Sequence, residues 1–232
     1  MSYKSPIEDF KYNLAMLNYD EVIAGIDKFK EYDSETLMSV VSEIGRLNEQ
    51  EVLDSNKIGD REGLKYVTDG LEGPEVHTPE RFKKLYDAVK ASGYVGATMP
   101  TQYGGGGAPF TTAILAGEIG IAANMAFYMG PGLSHGAMKT ILKKATEELK
   151  DKYLPNMTTG EWMGTMCLTE PQCGTDLGLI KSTAVPKDDH YELTGQKIWI
   201  SFGEHDLTEN IIHLVLARTP DAPEGIKGIS LF

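Results

Sequence analysis

The spacing of apolar residues changes along the chain, and this change divides the chain into two parts. Up to about residue 155, apolar residues recur every three or four positions, which is typical of helices with one buried face. From about residue 161, short apolar or alternating segments rich in β-branched and aromatic residues predict strands. Helices followed by strands indicate an α+β protein with separate helical and β modules, rather than repeated βαβ units.

Capping residues mark the starts and ends of the predicted helices. Ser34 precedes a run of apolar residues at helical spacing and is predicted to be the N-cap of that helix. Thr78 and Pro79 predict the start of a second helix, with threonine as the cap and proline at the first helical position. This helix is predicted to end at Gly93, because glycine readily adopts the left-handed conformation that follows a helix.

The apolar middle of the helical part predicts two helices, one over residues 111–128 and one over residues 134–144. Thr146 is predicted to cap a short last helix that ends before Pro155. Five later segments predict strands, and the polar turn 187–189 predicts a hairpin or meander. The predicted strand segments are EWMGTMCL, IKSTAVP, HYELTGQKIWIS, NIIHLVLAR and IKGISLF.

Charge and composition mainly exclude classes of partner. The 232 residues carry a formal net charge of −12, and no cluster of Lys and Arg is present to neutralise nucleic-acid phosphates. No window holds roughly 18 consecutive apolar residues, and the N-terminus lacks an apolar signal core. We therefore expect no nucleic-acid partner, no membrane span and a cytoplasmic location.

The chain ends on the apolar run GISLF, which favours a longer protein.

Several residues that often carry chemistry are better explained here as structural. The contiguous glycines 104–107 lie outside any βαβ unit, which favours a hinge or close backbone approach over a phosphate loop. No two histidines have metal-ligand spacing; His135 could face a pocket, but local capping or packing is favoured. Cys167 and Cys173 have no adjacent Lys, Arg or His to activate a thiol, and no metal site is predicted. Glu118, on an apolar helix, has either a buried partner or a solvent-facing position.

The segment MCLTEPQCGTDLG, residues 166–178, is the strongest candidate for binding chemistry. Thr169 and the pair Gly174-Thr175 offer hydroxyls and backbone N–H groups that together can hold an anion or the polar edge of a ring. Trp199 and Ser201 alternate along a predicted strand downstream and are therefore expected to share a face. An indole and a hydroxyl beside such amides suit a flat heteroaromatic cofactor with a diphosphate tail. A surface turn is the alternative.

The combination of MCLTEPQCGTDLG with LTGQKIWISFGEHD resembles the signature pair of the acyl-CoA dehydrogenase family. The segments YVGATMPTQYGGGG and YLPNMTTGEWMGTMCLTEP extend the resemblance to most of the chain. The N-terminal helices, HDLTENIIHLVLAR and GIKGISLF are similar to the large-subunit subgroup that includes the methylmercaptopropionyl-CoA dehydrogenases.

The resemblance implies the domain organisation. It predicts an N-terminal helical domain with a helical extension over residues 1–160, and a truncated middle antiparallel β-barrel domain over residues 161–232. It also implies that the C-terminal four-helix domain of the family is absent from this chain.

The resemblance further implies that the chain binds FAD. Thr169, with backbone groups near it, would hydrogen-bond the flavin ring, and Thr175 would contact the pyrophosphate and the CoA part of a substrate. Trp199 would pack on the flavin near its reactive nitrogen, and Ser201 would donate a hydrogen bond to it. The implied FAD-binding residues are Met166, Leu168, Thr169, Gly174, Thr175, Trp199, Ile200 and Ser201.

The implied activity is α,β-dehydrogenation of an acyl-CoA thioester, in which a carboxylate removes the α-proton and the β-hydrogen leaves as hydride to the flavin. An electron-transferring flavoprotein would accept the electrons, the protein would form homo-oligomers, and it would serve fatty acid metabolism. The catalytic glutamate of the family lies in the C-terminal domain. No catalytic residue is therefore assigned here, Glu170 included, and this chain alone is expected to bind FAD weakly and not to turn over.

Two other functions stay open at this stage. An acyl-CoA oxidase shares the fold and passes electrons to oxygen, and a flavin-free chain could serve as an assembly module. The acyl pocket is expected to draw on residues 111–137, in which Met125, Phe127 and Met129 either line the pocket or fill the core.

Overall fold

The structure, a computed structural model, describes residues 3–70 and 73–232 and places a helical part before a β part. The helices are α1 (Ile7–Met16), α2 (Tyr19–Ala24), α3 (Ser34–Leu47), α4 (Leu53–Glu62), α5 (Glu80–Ala91), α6 (Phe110–Lys144) and α7 (Glu147–Thr159). The strands are β1 (Lys65–Gly70), β2 (Gly73–His77), β3 (Trp162–Cys167), β4 (Thr183–Pro186), β5 (Tyr191–Thr194), β6 (Asn210–Ala217) and β7 (Ser230–Leu231). The predicted order of helices followed by strands is confirmed. The antiparallel β1–β2 hairpin inside the helical part was not predicted.

Two apolar clusters hold the helical part together, and α6 contributes to both. The main cluster joins α5, α6, α7 and β3, and within it the rings of Phe82 and Phe127 meet edge to face at 5.5 Å. The second cluster joins α1, α2 and α3 to Ile119 of α6. Full burial of one large apolar side chain contributes about 1.5–3 kcal/mol, so these clusters are the main source of stability.

Two of the predicted helix caps are wrong, because each helix begins one residue away from the predicted position. Asp33, not Ser34, is the N-cap of α3 and accepts a hydrogen bond from the Thr36 N–H at 2.8 Å. Ser34 is the first residue of the helix and donates to Asp20. Thr78 likewise does not cap α5, because Pro79 is the N-cap residue; the Thr78 hydroxyl donates to Asp206 at 2.8 Å.

Two other helix boundaries are confirmed and one is wrong. Gly93 has a φ of +72°, the left-handed conformation predicted after α5. The Thr146 side chain accepts from the Leu149 N–H at 3.4 Å and caps α7. The prediction that this helix ends before Pro155 is wrong, since α7 continues to Thr159. Proline removes only its own N–H from the helix, and α7 is packed on the main cluster by Leu154 and Met157, which offsets that loss.

The two helices predicted over residues 111–144 are present as the two arms of α6, which meet at a kink, but the position of the predicted break is wrong. The break lies at Asn124, with φ −156° and ψ 92°, and not at the glycines and proline near residue 131. The Asn124 side chain accepts from the Phe127 N–H at 3.1 Å and so acts as an internal cap. By length and composition α6 could cross a membrane, but Ile119, Phe127 and Met138 pack in the two apolar clusters, as in a core helix. The absence of a membrane span stays a prediction.

The β part is a sheet domain, as predicted, but one of its strand pairs is parallel rather than antiparallel. In the described residues, β3 pairs with β6 in parallel, β7 pairs antiparallel with β6, and β4 and β5 form an antiparallel hairpin. This hairpin is joined to the end of β6, because the Ala184 N–H donates to the Arg218 carbonyl at 2.8 Å and the Arg218 N–H donates to the Ser182 carbonyl at 2.9 Å. The strands therefore form a three-stranded and a two-stranded sheet, with no closed barrel among them. A parallel pair needs a long crossover connection, and here residues 168–209 provide it. That connection carries most of the predicted FAD-binding residues.

Strand β3 is held against α6 at a glycine. The Ser134 hydroxyl accepts from the Gly164 N–H at 3.0 Å, and a Cβ on Gly164 would lie 2.6 Å from the Ala137 Cβ. Only glycine permits this approach, which holds the middle of β3 close to α6.

The four glycines 104–107 make a close backbone approach, as predicted. A Cβ on Gly105 would collide with the Met99 carbonyl, and a Cβ on Gly106 would lie 2.7 Å from the Ala97 carbonyl oxygen. The N–H groups of residues 104–107 all donate to carbonyls of residues 96–101. These amides are therefore not free to bind a phosphate.

Candidate functional site

Two segments separated by almost thirty residues lie side by side where β3 ends. The Ile198 N–H donates to the Thr169 carbonyl oxygen at 2.9 Å. Gly174 approaches the same threonine, because a Cβ on it would lie 3.5 Å from Thr169 Cγ2. The structure thus brings the 166–175 segment next to the backbone that leads into residues 199–201, as the sequence predicts.

A buried ion pair holds these two segments together. The Glu170 side chain is 3% exposed and accepts from Lys197 Nζ at 2.8 Å. The N–H groups of Lys181 and Ser182 also donate to its carboxylate, at 2.8 and 3.0 Å. Lys197 Nζ donates in addition to the Leu168 carbonyl at 3.1 Å.

The same contacts keep Glu170 ionised. Burial by itself would raise the pKa of Glu170, but the hydrogen bonds from Lys197, Ser182 and Lys181 outweigh it and lower the pKa to about 2. A carboxylate that is paired in this way cannot act as a general base near neutral pH. This agrees with the interpretation of Glu170 as a residue of the turn.

The predicted strand alternation of Trp199 and Ser201 is wrong. β5 ends at Thr194, and Trp199 has a φ of +58°. Phe202 is also left-handed, and the Gly203 N–H donates to the Ile200 carbonyl at 2.9 Å, so residues 199–203 form a tight turn. The left-handed residue breaks the period of two that places alternate side chains on one face. The Trp199 indole is 85% exposed, whereas Ser201 is half-buried.

The remaining predicted site residues surround this turn and the end of β3. Met166, Leu168, Thr169 and Ile200 are half-buried, and Gly174 and Thr175 are exposed. The Asp176 carboxylate accepts from the Gly178 N–H at 3.1 Å and shapes the loop after Thr175. Within the described ranges, the backbone N–H groups of Gly174 and Thr175 donate no hydrogen bond to another backbone group. These two amides remain available to a ligand.

A cavity of about 420 Å³ lies beside Ser201, between the helical part and the turn. Met129 lines it, whereas Phe127 is fully buried in the main cluster and Met125 is exposed. The sequence allowed Met125, Phe127 and Met129 either to line the acyl pocket or to fill the core. Met129 lines this cavity, Phe127 fills the core, and Met125 does neither. Apolar and hydroxyl side chains on the cavity wall include Leu64, Phe82, Ala126, Met129, Ser201 and Phe202.

Asp206 was not recognised from the sequence, and it ties the turn to the helical part. Its carboxylate accepts from the Thr78 N–H at 2.9 Å, the Thr78 hydroxyl at 2.8 Å and Lys83 Nζ at 2.9 Å. His77 Nδ1 lies 3.1 Å away. Burial would raise the pKa of Asp206, but hydrogen bonds from Lys83, Thr78 and His77 hold it well below its usual range. No sequence signal marks these partners, which precede Asp206 by more than 120 positions.

His135, weighed between a pocket and local packing, lines a cavity of about 180 Å³ together with Phe110 and Tyr128. His135 Nε2 lies 3.2 Å from the Thr98 hydroxyl, and burial lowers the pKa of His135 to about 4. Cys167 and Cys173 are both buried and form no disulfide. Glu118 is exposed, so of its two predicted positions the structure shows the solvent-facing one.

Comparison with known proteins gives two matches that together cover most of the chain. The model of the acyl-CoA dehydrogenase N-terminal domain matches residues 68–161, and that of the acyl-CoA dehydrogenase middle domain matches residues 165–232. The 3-methylmercaptopropionyl-CoA dehydrogenase of Ruegeria pomeroyi is 40% identical over 233 residues, which cover 100% of this chain and 39% of that protein. The chain thus spans about two fifths of the length of this relative.

Solved structures show the same relationship. An acyl-CoA dehydrogenase complexed with FAD from Bacillus anthracis is 26% identical with a TM-score of 0.67, over 87% of this chain and 32% of that one. A structure from work on the electron transferring flavoprotein of Acidaminococcus fermentans is 28% identical with a TM-score of 0.70, over 86% of this chain and 47% of that one. The chain therefore belongs to the acyl-CoA dehydrogenase family, whose N-terminal and middle domains it matches.

Proposed function

We propose that this chain is the FAD-binding and acyl-CoA-binding portion of an FAD-dependent acyl-CoA dehydrogenase. One observation carries the proposal: the hydrogen bond from the Ile198 N–H to the Thr169 carbonyl. This bond juxtaposes the two segments that resemble the flavin-binding pair of the family. The Ruegeria pomeroyi relative and the FAD complex from Bacillus anthracis support the same function.

The groups around Thr169 fit a planar ring with a diphosphate tail. An indole that is 85% exposed offers a flat apolar face, and a residue of this size costs free energy when it is left in water. The N–H groups of Gly174 and Thr175 can hold a diphosphate without a charged side chain. We therefore assign FAD contacts to Met166, Leu168, Thr169, Gly174, Thr175, Trp199, Ile200 and Ser201.

Each of these residues binds or orients a reactant. When bound, FAD supplies the acceptor for the hydride that leaves the β carbon of the acyl group. The Trp199 indole would pack on the ring, and the Thr169 and Ser201 hydroxyls would hydrogen-bond its polar edge. Thr175 would contact the pyrophosphate and the CoA portion of the substrate. We assign no catalytic carboxylate among the described residues, and we exclude Glu170 because it is engaged by Lys197 and backbone N–H groups.

A titration of the chain with FAD tests the proposal. We expect FAD to raise the midpoint of thermal unfolding, since a ligand of the native state stabilises it. Thr169→Val should weaken FAD binding about fivefold through loss of one hydrogen bond of about 1 kcal/mol. Thr183→Val on the exposed side of β4 is the matched control and should leave the affinity unchanged. A chain that stays colourless and gains no stability with excess FAD would support the assembly-module alternative instead.

The same material distinguishes the enzymatic alternatives. We expect the 232 residues alone not to bleach bound flavin with acyl-CoA under anaerobic conditions; bleaching at a rate normal for a dehydrogenase would contradict this. For the protein that carries the whole active site, an electron-transferring flavoprotein is the proposed electron acceptor, supported by the Acidaminococcus fermentans structure. Production of hydrogen peroxide with acyl-CoA would favour the oxidase.

From the family resemblance we also propose that the protein serves fatty acid metabolism, is cytoplasmic and forms homo-oligomers. We propose in addition a domain boundary after residue 160.

A further inference from the structure

We propose that Asp206 is a positioning residue that holds the turn 199–203 in the conformation that binds FAD; this inference rests on the proposed function. Asp206 belongs to the β part of the chain, but the polar groups that it binds lie at residues 77–83, before and within the first turn of α5. The clasp formed by Asp206 with His77, Thr78 and Lys83 therefore joins the turn to the helical part.

The clasp uses most of the bonding capacity of one carboxylate. Oδ1 accepts from both the N–H and the hydroxyl of Thr78, and Oδ2 lies 2.9 Å from Lys83 Nζ and 3.1 Å from His77 Nδ1. The Asp206 side chain is half-buried at the N-terminal end of α5, where the helix dipole also favours a negative charge. Charged hydrogen bonds of this kind are stronger than neutral ones.

Apolar contacts reinforce the clasp on both sides. Leu207 is buried in the main cluster, and the Phe202 ring lies so close to α6 that a Cβ on Gly130 would be 2.7 Å from Phe202 Cε1. On the other side of the turn, Ile198 is bonded to Thr169. Trp199, Ile200 and Ser201 therefore span the gap between two fixed points.

Two residues of the turn 199–203 have a left-handed backbone conformation, which must be stabilised by contacts on both sides of the turn. Trp199 and Phe202 have φ values of +58° and +55°, which residues with a Cβ adopt only at a cost in free energy. Such a turn relaxes when a neighbouring anchor is lost. Without the clasp, the exposed Trp199 indole would sample several orientations, and only one would match a planar ring held by Thr169 and Gly174.

Tryptophan fluorescence measures this effect without flavin. The chain has two tryptophans, so Trp199 is the only one after Trp162→Phe. In that background we expect Asp206→Ala to increase the amplitude of nanosecond depolarisation of Trp199. Asp206→Asn, which keeps the shape and an oxygen acceptor, should give a smaller increase. Asp188→Asn at the exposed end of the β4–β5 hairpin is the matched control and should change nothing.

Flavin affinity measures the consequence for binding. We expect Asp206→Ala to raise the Kd for FAD about tenfold in the otherwise unchanged chain. Leu37→Ala in the second apolar cluster controls for lost stability alone; it should lower the unfolding midpoint and leave both Trp199 depolarisation and FAD affinity unchanged.

The two readouts separate the possible failures. Unchanged Trp199 depolarisation in folded Asp206→Ala and Asp206→Asn would overturn the positioning role while leaving the FAD titration of the parent chain intact. A parent chain that does not bind FAD would overturn the proposed function and the positioning role together. Depolarisation that rises equally in Leu37→Ala would also overturn the inference, because the effect would then follow from general destabilisation.

Discussion

At the scale of single residues, the Glu170–Lys197 pair determines how the candidate site is held. Both residues lie in segments that the sequence marked as chemically interesting, but no spacing rule connects positions 27 apart. The sequence placed Glu170 in the turn and excluded it as a base. The structure shows that the Glu170 carboxylate joins separate stretches of the chain. It accepts hydrogen bonds from four residues, Gln172, Lys181, Ser182 and Lys197.

Lys197→Met is expected to destabilise the chain by about 3–5 kcal/mol, because it leaves the Glu170 charge buried without its cationic partner. Urea unfolding at pH 7 measures the loss. Lys187→Met is the matched control, since Lys187 pairs with Glu192 on the exposed β4–β5 hairpin, and it should cost no more than about 1 kcal/mol. The double variant Lys197→Met/Glu170→Gln should recover part of the loss; equal costs for Lys197→Met and Lys187→Met would contradict the structural role.

At the scale of elements, α6 shows how a side chain can override sequence signals. The glycines and Pro131 predict a break near residue 131, yet the helix breaks at Asn124. Asn124 Nδ2 donates to the Ser55 hydroxyl of α4 at 2.8 Å, and its Oδ1 accepts from the Phe127 N–H. The break therefore depends on a contact with another helix, and no local pattern contains it.

Asn124→Ala is expected to cost about 1–3 kcal/mol, because it leaves the buried Phe127 N–H without an acceptor. The free energy of unfolding from urea titration gives this value. Asn13→Ala, on the exposed side of α1, is the matched control and should be neutral or slightly stabilising, since alanine is the better helix former. A loss below about 0.5 kcal/mol for Asn124→Ala would show that the internal cap is dispensable.

At the scale of the whole molecule, two carboxylates join parts of the chain that are distant in sequence. Glu170 connects the end of β3 to the segment before Trp199, and Asp206 connects the β part to α5. Hydrogen bonds lower the pKa of both groups in the folded state. Their stabilising contribution is therefore present above the pKa of the unfolded chain and is lost as the pH falls through the folded-state pKa.

We expect the free energy of unfolding to decrease as the pH falls from about 4.5, the ordinary pKa of a glutamate, to about 2, the pKa of folded Glu170. Urea titrations at a series of pH values measure this slope. Glu170→Gln should reduce the slope, whereas Asp188→Asn on the exposed hairpin should preserve it. An identical slope in Glu170→Gln and the parent chain would mean that Glu170 titrates normally.

The sequence by itself determined the order of helices and strands, several boundaries and the two segments of the candidate site. These features depend on local periodicity, caps and recognisable motifs, all of which are contained in neighbouring residues. Only the tertiary structure decided the parallel pairing of β3 with β6, the break at Asn124, the left-handed turn at Trp199 and the partners of Glu170 and Asp206. Each of these depends on groups that are far apart along the chain and meet only after it folds.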